Sequence, residues 1–149
     1  MNKTEKLAYI AGLIDGEGCL GITKVQSKNS LCYYERMSIH MKDPQGILLL
    51  CEELGLETKR SRINGKPYYS AYACSKKLKE ILIKVKPFLQ VKQREAELLL
   101  SLIKLKEENP RRTIWDGKRF MGTMGISEEQ TSIRNKLYEE CKTQKTMRG

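Results

Sequence analysis

The chain has 149 residues and a formal net charge of +10 at pH 7, with 40% hydrophobic and 31% charged residues. That balance describes one globular core and excludes a disordered basic tail, so the excess charge predicts a polyanionic partner, nucleic acid ahead of an anionic membrane. Five scattered cysteines without a CxxC pair and a single histidine, His40, exclude zinc fingers and triad-type nucleophilic catalysis. The chemistry is left to carboxylates, lysines and a hard cation, and the thiols read as reduced and buried in an intracellular protein.

Residues 1–6 are polar and lead into a stretch broken by Asp15 and Glu17, so no signal peptide is expected. No apolar run approaches the ~20 residues that a spanning helix needs. Leu7, Ile10, Ala11 and Ile14 fall at i, i+3, i+4 and i+7 and predict a helix over residues 4–15, with Thr4 as its N-cap. Ala8, Gly12 and Gly16 form a second stripe at four-residue spacing. Two helical glycines cost about 2 kcal/mol relative to alanine, a cost tolerated mainly where another backbone must approach closely.

Beyond Gly18 the pattern alternates. Leu20 and Ile22 open one strand, residues 28–30 mark a turn, and Met37, Ile39 and Met41 alternate with Arg36, Ser38 and His40 in a second. Asp43-Pro44 reads as an N-cap followed by proline at the first helical position, opening a helix that stops at Gly55. The cycle repeats, with strands over residues 58–63 and 68–74 joined by the hairpin signal Asn64-Gly65. Ser75 caps a further helix, and a longer one over residues 91–108 carries the core leucines Leu98, Leu99, Leu102 and Leu105. The glycine-rich residues 111–126 carry no clear pattern, and Ser127 to Gln130 is a capping box that opens a last helix. Together these predict one α+β domain over residues 1–149, with a core over 4–108, a C-terminal helical extension over 111–149, and an antiparallel four-stranded sheet with helices on one face.

The chemistry concentrates at residues 9–18. Asp15 and Glu17 stand at the C-terminal end of the first helix, where the dipole disfavours acids by ~0.3–1 kcal/mol each. Both could be solvated turn residues. A divalent cation would instead compensate them, since Mg²⁺ takes carboxylate, carbonyl, water and phosphate oxygens. Packing two copies of the stripe together would bring two Glu17 side chains to one axis, where like charges demand bound cations.

Residues 10–18, IAGLIDGEG, resemble the LAGLIDADG motif of homing endonucleases and related maturases, departing at Ile10, Gly16 and Glu17. The order of helices and hairpins is similar to that family's αββαββα fold over about residues 4–108. The resemblance implies a site-specific DNA endonuclease that leaves a double-strand break with short 3′ overhangs in a long, pseudo-palindromic target, associated with an intron or intein. A single motif implies a homodimer paired through Ala8, Gly12, Gly16 and Asp15. It implies that Glu17 and the Gly16 carbonyl hold Mg²⁺, with Mn²⁺ or Ca²⁺ able to substitute in binding, and that Lys92 is the active-site lysine. A group that holds water would fall at Asp43, Lys42 or Gln45, although Asp43 is equally an N-cap. The resemblance and face alternation together set Thr23, Val25, Tyr34, Arg36, Ser38, His40, Arg60, Arg62 and Tyr69 toward double-stranded DNA, with the two arginines matched to guanine. An RNA maturase that binds intron RNA, or a non-catalytic DNA-binding protein, would use the same fold.

Overall fold

The structure, a computed structural model, describes residues 1–27, 30–111, 113–123 and 125–148. The expected turn at residues 28–30 falls partly outside the described residues. Helix α1 (Lys3–Glu17) begins two residues after the start. Its N-cap is Asn2 rather than Thr4, because Asn2 and Glu5 form a reciprocal capping box. Strands β1 (Gly18–Ser27) and β2 (Ser30–Met41) follow, then α2 (Pro44–Leu54), β3 (Lys59–Ile63), β4 (Lys66–Cys74), α3 (Ser75–Val85) and α4 (Gln93–Glu108). The four strands form one antiparallel sheet in the order β1-β2-β4-β3. The β3–β4 turn is Asn64-Gly65 with φ of 52° and 77°, the left-handed pair that such a hairpin requires.

The period-two alternation of the strands places the core. Leu20 and Ile22 of β1, Tyr33, Met37 and Ile39 of β2, and Ala71 and Ala73 of β4 are buried on one face. Against them pack Ile10, Ala11 and Ile14 of α1, Ile47 and Leu50 of α2, Leu78 and Leu82 of α3, and Leu98, Leu99 and Leu102 of α4. Each such aliphatic side chain contributes about 1.5–3 kcal/mol on burial. Among the described residues, no helix or strand covers the opposite face of the sheet. Leu105 is half-buried at the margin of the cluster.

Three expectations change. Helix α3 starts at Ser75 itself, and the cap position is Cys74, which makes no side-chain cap bond. Residues 111–126, unreadable in sequence, contain a hairpin, β5 (Thr113–Asp116) and β6 (Arg119–Thr123), which forms its own two-stranded sheet. The C-terminal extension is therefore hairpin plus helix α5 (Glu128–Met147), whose N-cap Ser127 accepts from the Gln130 amide. Contrary to the expectation of buried thiols, Cys19 and Cys74 are exposed. Among the described residues, no helix is long and apolar enough to cross a membrane.

Candidate active site and nucleic-acid interface

The end of α1 is where the chain changes direction straight into β1. A Cβ on Gly18 would lie 2.8 Å from the Ile14 carbonyl oxygen, so only glycine allows the strand to leave the helix this abruptly. This places the last turn of α1 at one end of the sheet. The Glu17 side chain there is exposed, and among the described residues no hydrogen bond or ion pair engages it. A free carboxylate at the negative end of a helix dipole is an unfavourable arrangement unless a cation joins it.

Asp15 behaves differently. Its carboxylate accepts the Gln90 amide at 2.7 Å and the Lys92 amide at 2.9 Å, tying α1 to the segment that enters α4. The sequence expectation placed Asp15 in a subunit interface. Within one chain it is half-buried and bonded to the segment that enters α4. The Lys92 ammonium donates to the Asp15 carbonyl, which brings this lysine to the last turn of α1.

Sequence reasoning missed the other side of this clamp. Arg148, beyond the end of α5, donates to the Val91 carbonyl and to both carboxylate oxygens of Glu95. Glu95 is fully buried, and its carboxylate holds the Arg148 guanidinium above its ordinary pKa. A signal existed: Glu95 lies at i with Leu98, Leu99 and Leu102 at i+3, i+4 and i+7, a carboxylate on the core stripe that needed a cationic partner. Nothing local marks Arg148 as that partner.

Glu17 and Asp43 line one cleft of about 660 Å³, together with His40, Met41, Lys42, Ile63 and Tyr68. Asp43 also accepts the Gln45 amide at 2.8 Å and caps α2. Asp43 thus caps α2 and, from the same position, lines the cleft that holds Glu17. Gln45 is not among the residues that line the cleft. Among the described residues no three His, Cys, Asp or Glu side chains cluster tightly enough to hold a metal. One chain offers the Glu17 carboxylate and the Gly16 carbonyl, which as part of the last helical turn has no intrahelical partner. These are hard oxygen donors that fit Mg²⁺ in kind, but too few to enclose it without further ligands.

Strand register sorts the candidate reading residues, because directly paired residues share a face. Thr23 pairs with Tyr34, Gly21 with Arg36, Cys19 with Ser38, and Val25 with Cys32. Ser38 then pairs with Tyr72 and His40 with Ser70. Thr23, Val25, Tyr34, Arg36, Ser38 and His40 thus lie on the open face as expected, although Ser38 is only 5% exposed between its neighbours. The Tyr34 ring carries the Lys106 ammonium at 5.1 Å.

The phase of the other two strands is corrected. Arg60 pairs with Tyr69, Tyr69 pairs with Met41, and Arg62 pairs with Pro67, so Arg60, Arg62 and Tyr69 lie on the helix side of the sheet. Tyr69 packs against the core, while Arg60 and Arg62 are exposed because β3 is an edge strand. All five side chains of β3 are exposed, so no buried residue sets its phase locally, and a one-residue slip exchanges the faces. The open-face set on these strands is Lys59, Ser61, Tyr68, Ser70 and Tyr72. His40 meets Tyr72 edge-on at 5.6 Å and Tyr68 at 6.0 Å, and Lys59 lies 5.4 Å over the Tyr72 ring. Tyr69, Ala71 and Ala73, apolar at every second position, were the signal for this phase.

The small-residue stripe is exposed on α1. Ala8, Gly12 and Gly16 face outward, and a Cβ on either glycine would meet no other atom of the chain within 4 Å. Close packing inside the domain therefore does not account for these glycines.

The family model described as LAGLIDADG endonuclease matches residues 10–109. This chain belongs to the LAGLIDADG endonuclease family. It is 29% identical over 104 residues to the DNA endonuclease I-CvuI of Chlorella vulgaris, and 29% identical over 105 residues to the DNA endonuclease I-CreI of Chlamydomonas reinhardtii. Each match covers 66% of this chain but 64% and 63% of those relatives' own length. Among solved structures, the archaeal intron-encoded homing endonuclease I-Vdi141I complexed with DNA matches 96% of this chain and 86% of its own, with a TM-score of 0.72 and 18% identity. Crystal structures of I-CvuI on DNA, in the presence of Mg or Ca, match with TM-scores of 0.56 and 0.58. They cover 67% and 72% of this chain and 66% and 72% of theirs, at 24% and 23% identity. The LAGLIDADG fold is thus shared from α1 through α4, and the I-Vdi141I match takes in the extension as well.

Proposed function

We propose that this LAGLIDADG protein is a homodimeric, divalent-metal-dependent homing endonuclease. In this reading it makes a double-strand break with short 3′ overhangs in a long, pseudo-palindromic DNA site and is associated with an intron or intein. The observation that carries the reading is an exposed Glu17 carboxylate without a partner among the described residues, on the same helix end that receives the Lys92 ammonium. A structural role would have given that carboxylate a partner, as it did Asp15.

Two copies pair through Ala8, Gly12 and Gly16, which brings Glu17 of each chain to the two-fold axis. The Glu17 carboxylate and the Gly16 carbonyl would hold Mg²⁺ there. Mn²⁺ or Ca²⁺ would serve in binding. The ion supplies Lewis acidity for phosphodiester hydrolysis. Lys92 places a cation where charge grows on the phosphoryl oxygens, and its own orientation is held by Asp15. Asp43, in the same cleft, accepts a proton or orients water on the side away from Lys92. The open sheet face lies along the major groove, with Arg36, His40, Lys59, Ser61, Tyr68 and Tyr72 nearest the base edges. Thr23 and Val25 face the outer part of each half-site.

The test is incubation of the purified chain with a plasmid library of randomised sites, in Mg²⁺ and in chelator. Recovery of linear plasmid only with Mg²⁺ is expected. Retention of specific plasmids without any cleavage would replace the nuclease by a binding protein on the same fold.

A further inference from the structure

The hairpin of β5 and β6 carries several exposed apolar side chains. Ile114, Trp115, Phe120 and Met121 are each between 43% and 58% exposed. Trp115 and Phe120 meet edge-on at 5.6 Å across the hairpin, and the two strands pack chiefly on each other. A two-stranded hairpin is marginal by itself in water, and an exposed apolar cluster of this kind marks a binding surface.

Charge and position select the occupant. Lys118 and Arg119 are exposed beside the aromatic pair, with Asp116 the one acid of the hairpin. Arg111, at the foot, donates to the Leu31 carbonyl at 2.9 Å. Leu31 lies at the end of the β1–β2 pair opposite Gly18 and Glu17. Ten residues of β1 separate these ends by roughly 30 Å. The hairpin therefore springs from the outer end of the DNA-reading sheet. At its foot is a cavity of about 240 Å³ walled by Lys106, Arg111 and Arg134. Arg134 is 2% exposed; its Nη2 donates to the Asn109 carbonyl at 3.3 Å, and its Nε has no hydrogen-bond partner among the described residues. The buried acid nearby, Glu35, is engaged by Lys106 at 2.8 Å. Burial first, and then the neighbouring Arg111, push the Arg134 guanidinium below its ordinary pKa, with Glu35 acting in the opposite direction. Interspersed cations and aromatic or methionine side chains suit a nucleic-acid groove and its phosphates better than a second protein copy, which would bring the same positive charge.

We propose that the β5–β6 hairpin and the cationic pocket at its foot grip duplex DNA outside the half-site read by the sheet. This inference rests on the nuclease reading and concerns a surface that the catalytic end does not use. Phosphate contacts from Lys118 and Arg119 extend the footprint, and the apolar side chains lie against sugar edges or a widened base step.

Trp115 is the only tryptophan of the chain, so its fluorescence reports on the hairpin alone. Full-length protein is titrated with a fluorescein-labelled, mixed-sequence 40-base-pair duplex in Ca²⁺ buffer at low salt. Duplex anisotropy and Trp115 emission are followed together, and acrylamide quenching is measured at saturation. The expected result is coincident isotherms, with Trp115 at least about twofold less accessible to acrylamide in the complex. K118A/R119A should flatten the dependence of log affinity on log salt by about 2 units. An anisotropy rise with Trp115 emission and accessibility unchanged, or an unaltered salt slope in K118A/R119A, would overturn the hairpin's role while leaving the nuclease reading intact. Trp115 protection that depends on protein concentration without DNA would assign the hairpin to a second copy and also overturn it. No anisotropy rise at all would contradict the DNA reading itself.

Discussion

The two ends of the sheet are built on opposite terms. At the α1 end, everything behind the reactive groups is pinned: Asp15 holds two amides of the Lys92 segment, Lys92 returns a bond to Asp15, and Arg148 closes on Val91 and Glu95. Only Glu17 and the small-residue stripe are left open. At the outer end the hairpin is open on both faces, and its apolar side chains are exposed. Under the proposed function, this difference would separate chemistry from grip. Catalytic groups need fixed positions, because small displacements cost rate, whereas a surface that reads or grasps a long polymer gains its order from the partner.

The strongest way to break this comparison is at Glu17. Glu17→Gln keeps the shape and removes the anionic ligand, so cleavage should fall by at least ~100-fold with DNA binding retained, measured by gel cleavage beside anisotropy. Wild-type cleavage by this variant would end the metal role. Lys92→Met should lose about 10²-fold in single-turnover rate without loss of fold, because the bond from the Lys92 backbone amide to the Asp15 carboxylate is kept and only that from the ammonium to the Asp15 carbonyl is lost. A concurrent collapse in thermal stability would mean that the ammonium is structural.

Gly12→Leu tests the open stripe. The residue has free space around it within the chain, so the variant should remain folded by circular dichroism, sediment as a monomer and lose cleavage. A fully dimeric Gly12→Leu protein would place the pairing elsewhere. Arg148→Met tests the rear of the clamp. It strands a fully buried Glu95 carboxylate and should destabilise the fold by roughly 2–3 kcal/mol, less than a fully buried pair would lose because Arg148 is partly exposed. Urea titration reads this, and Glu95→Gln added to Arg148→Met should recover part of it. The smallest effects sharpen the reading face. Lys59→Ala should relax preference at one symmetric pair of base positions by about 1–3 kcal/mol. Arg60→Ala, on the opposite phase, should change affinity without changing preference, as read by site selection with each variant.

Much of this architecture was legible because local and tertiary signals agree. Ile10, Ala11 and Ile14 show the helix period, Asn64-Gly65 makes the left-handed turn that it promises, and Asp43-Pro44 caps α2. Glu17 was legible because the motif and the helix dipole both single it out. Phase failed at β3, whose residues Lys59 to Ile63 bury nothing. The β5–β6 hairpin was hidden by its short strands and by the register irregularity between Ile114 and Trp115, which breaks period-two alternation. The Arg148–Glu95 pair spans 53 residues, and no periodicity connects residues so far apart.

The central claim is that two identical chains, joined along α1, cut one DNA site. The most direct measurement is sequencing the ends of library plasmids linearised in Mg²⁺. A strand reach of about 26 Å per half-site with a central gap predicts an approximately palindromic site on the order of 18–20 base pairs, cut across its centre with short 3′ overhangs and most tolerant of base changes there. A short asymmetric site, cut by a chain that sediments as a monomer on its DNA, would contradict the account.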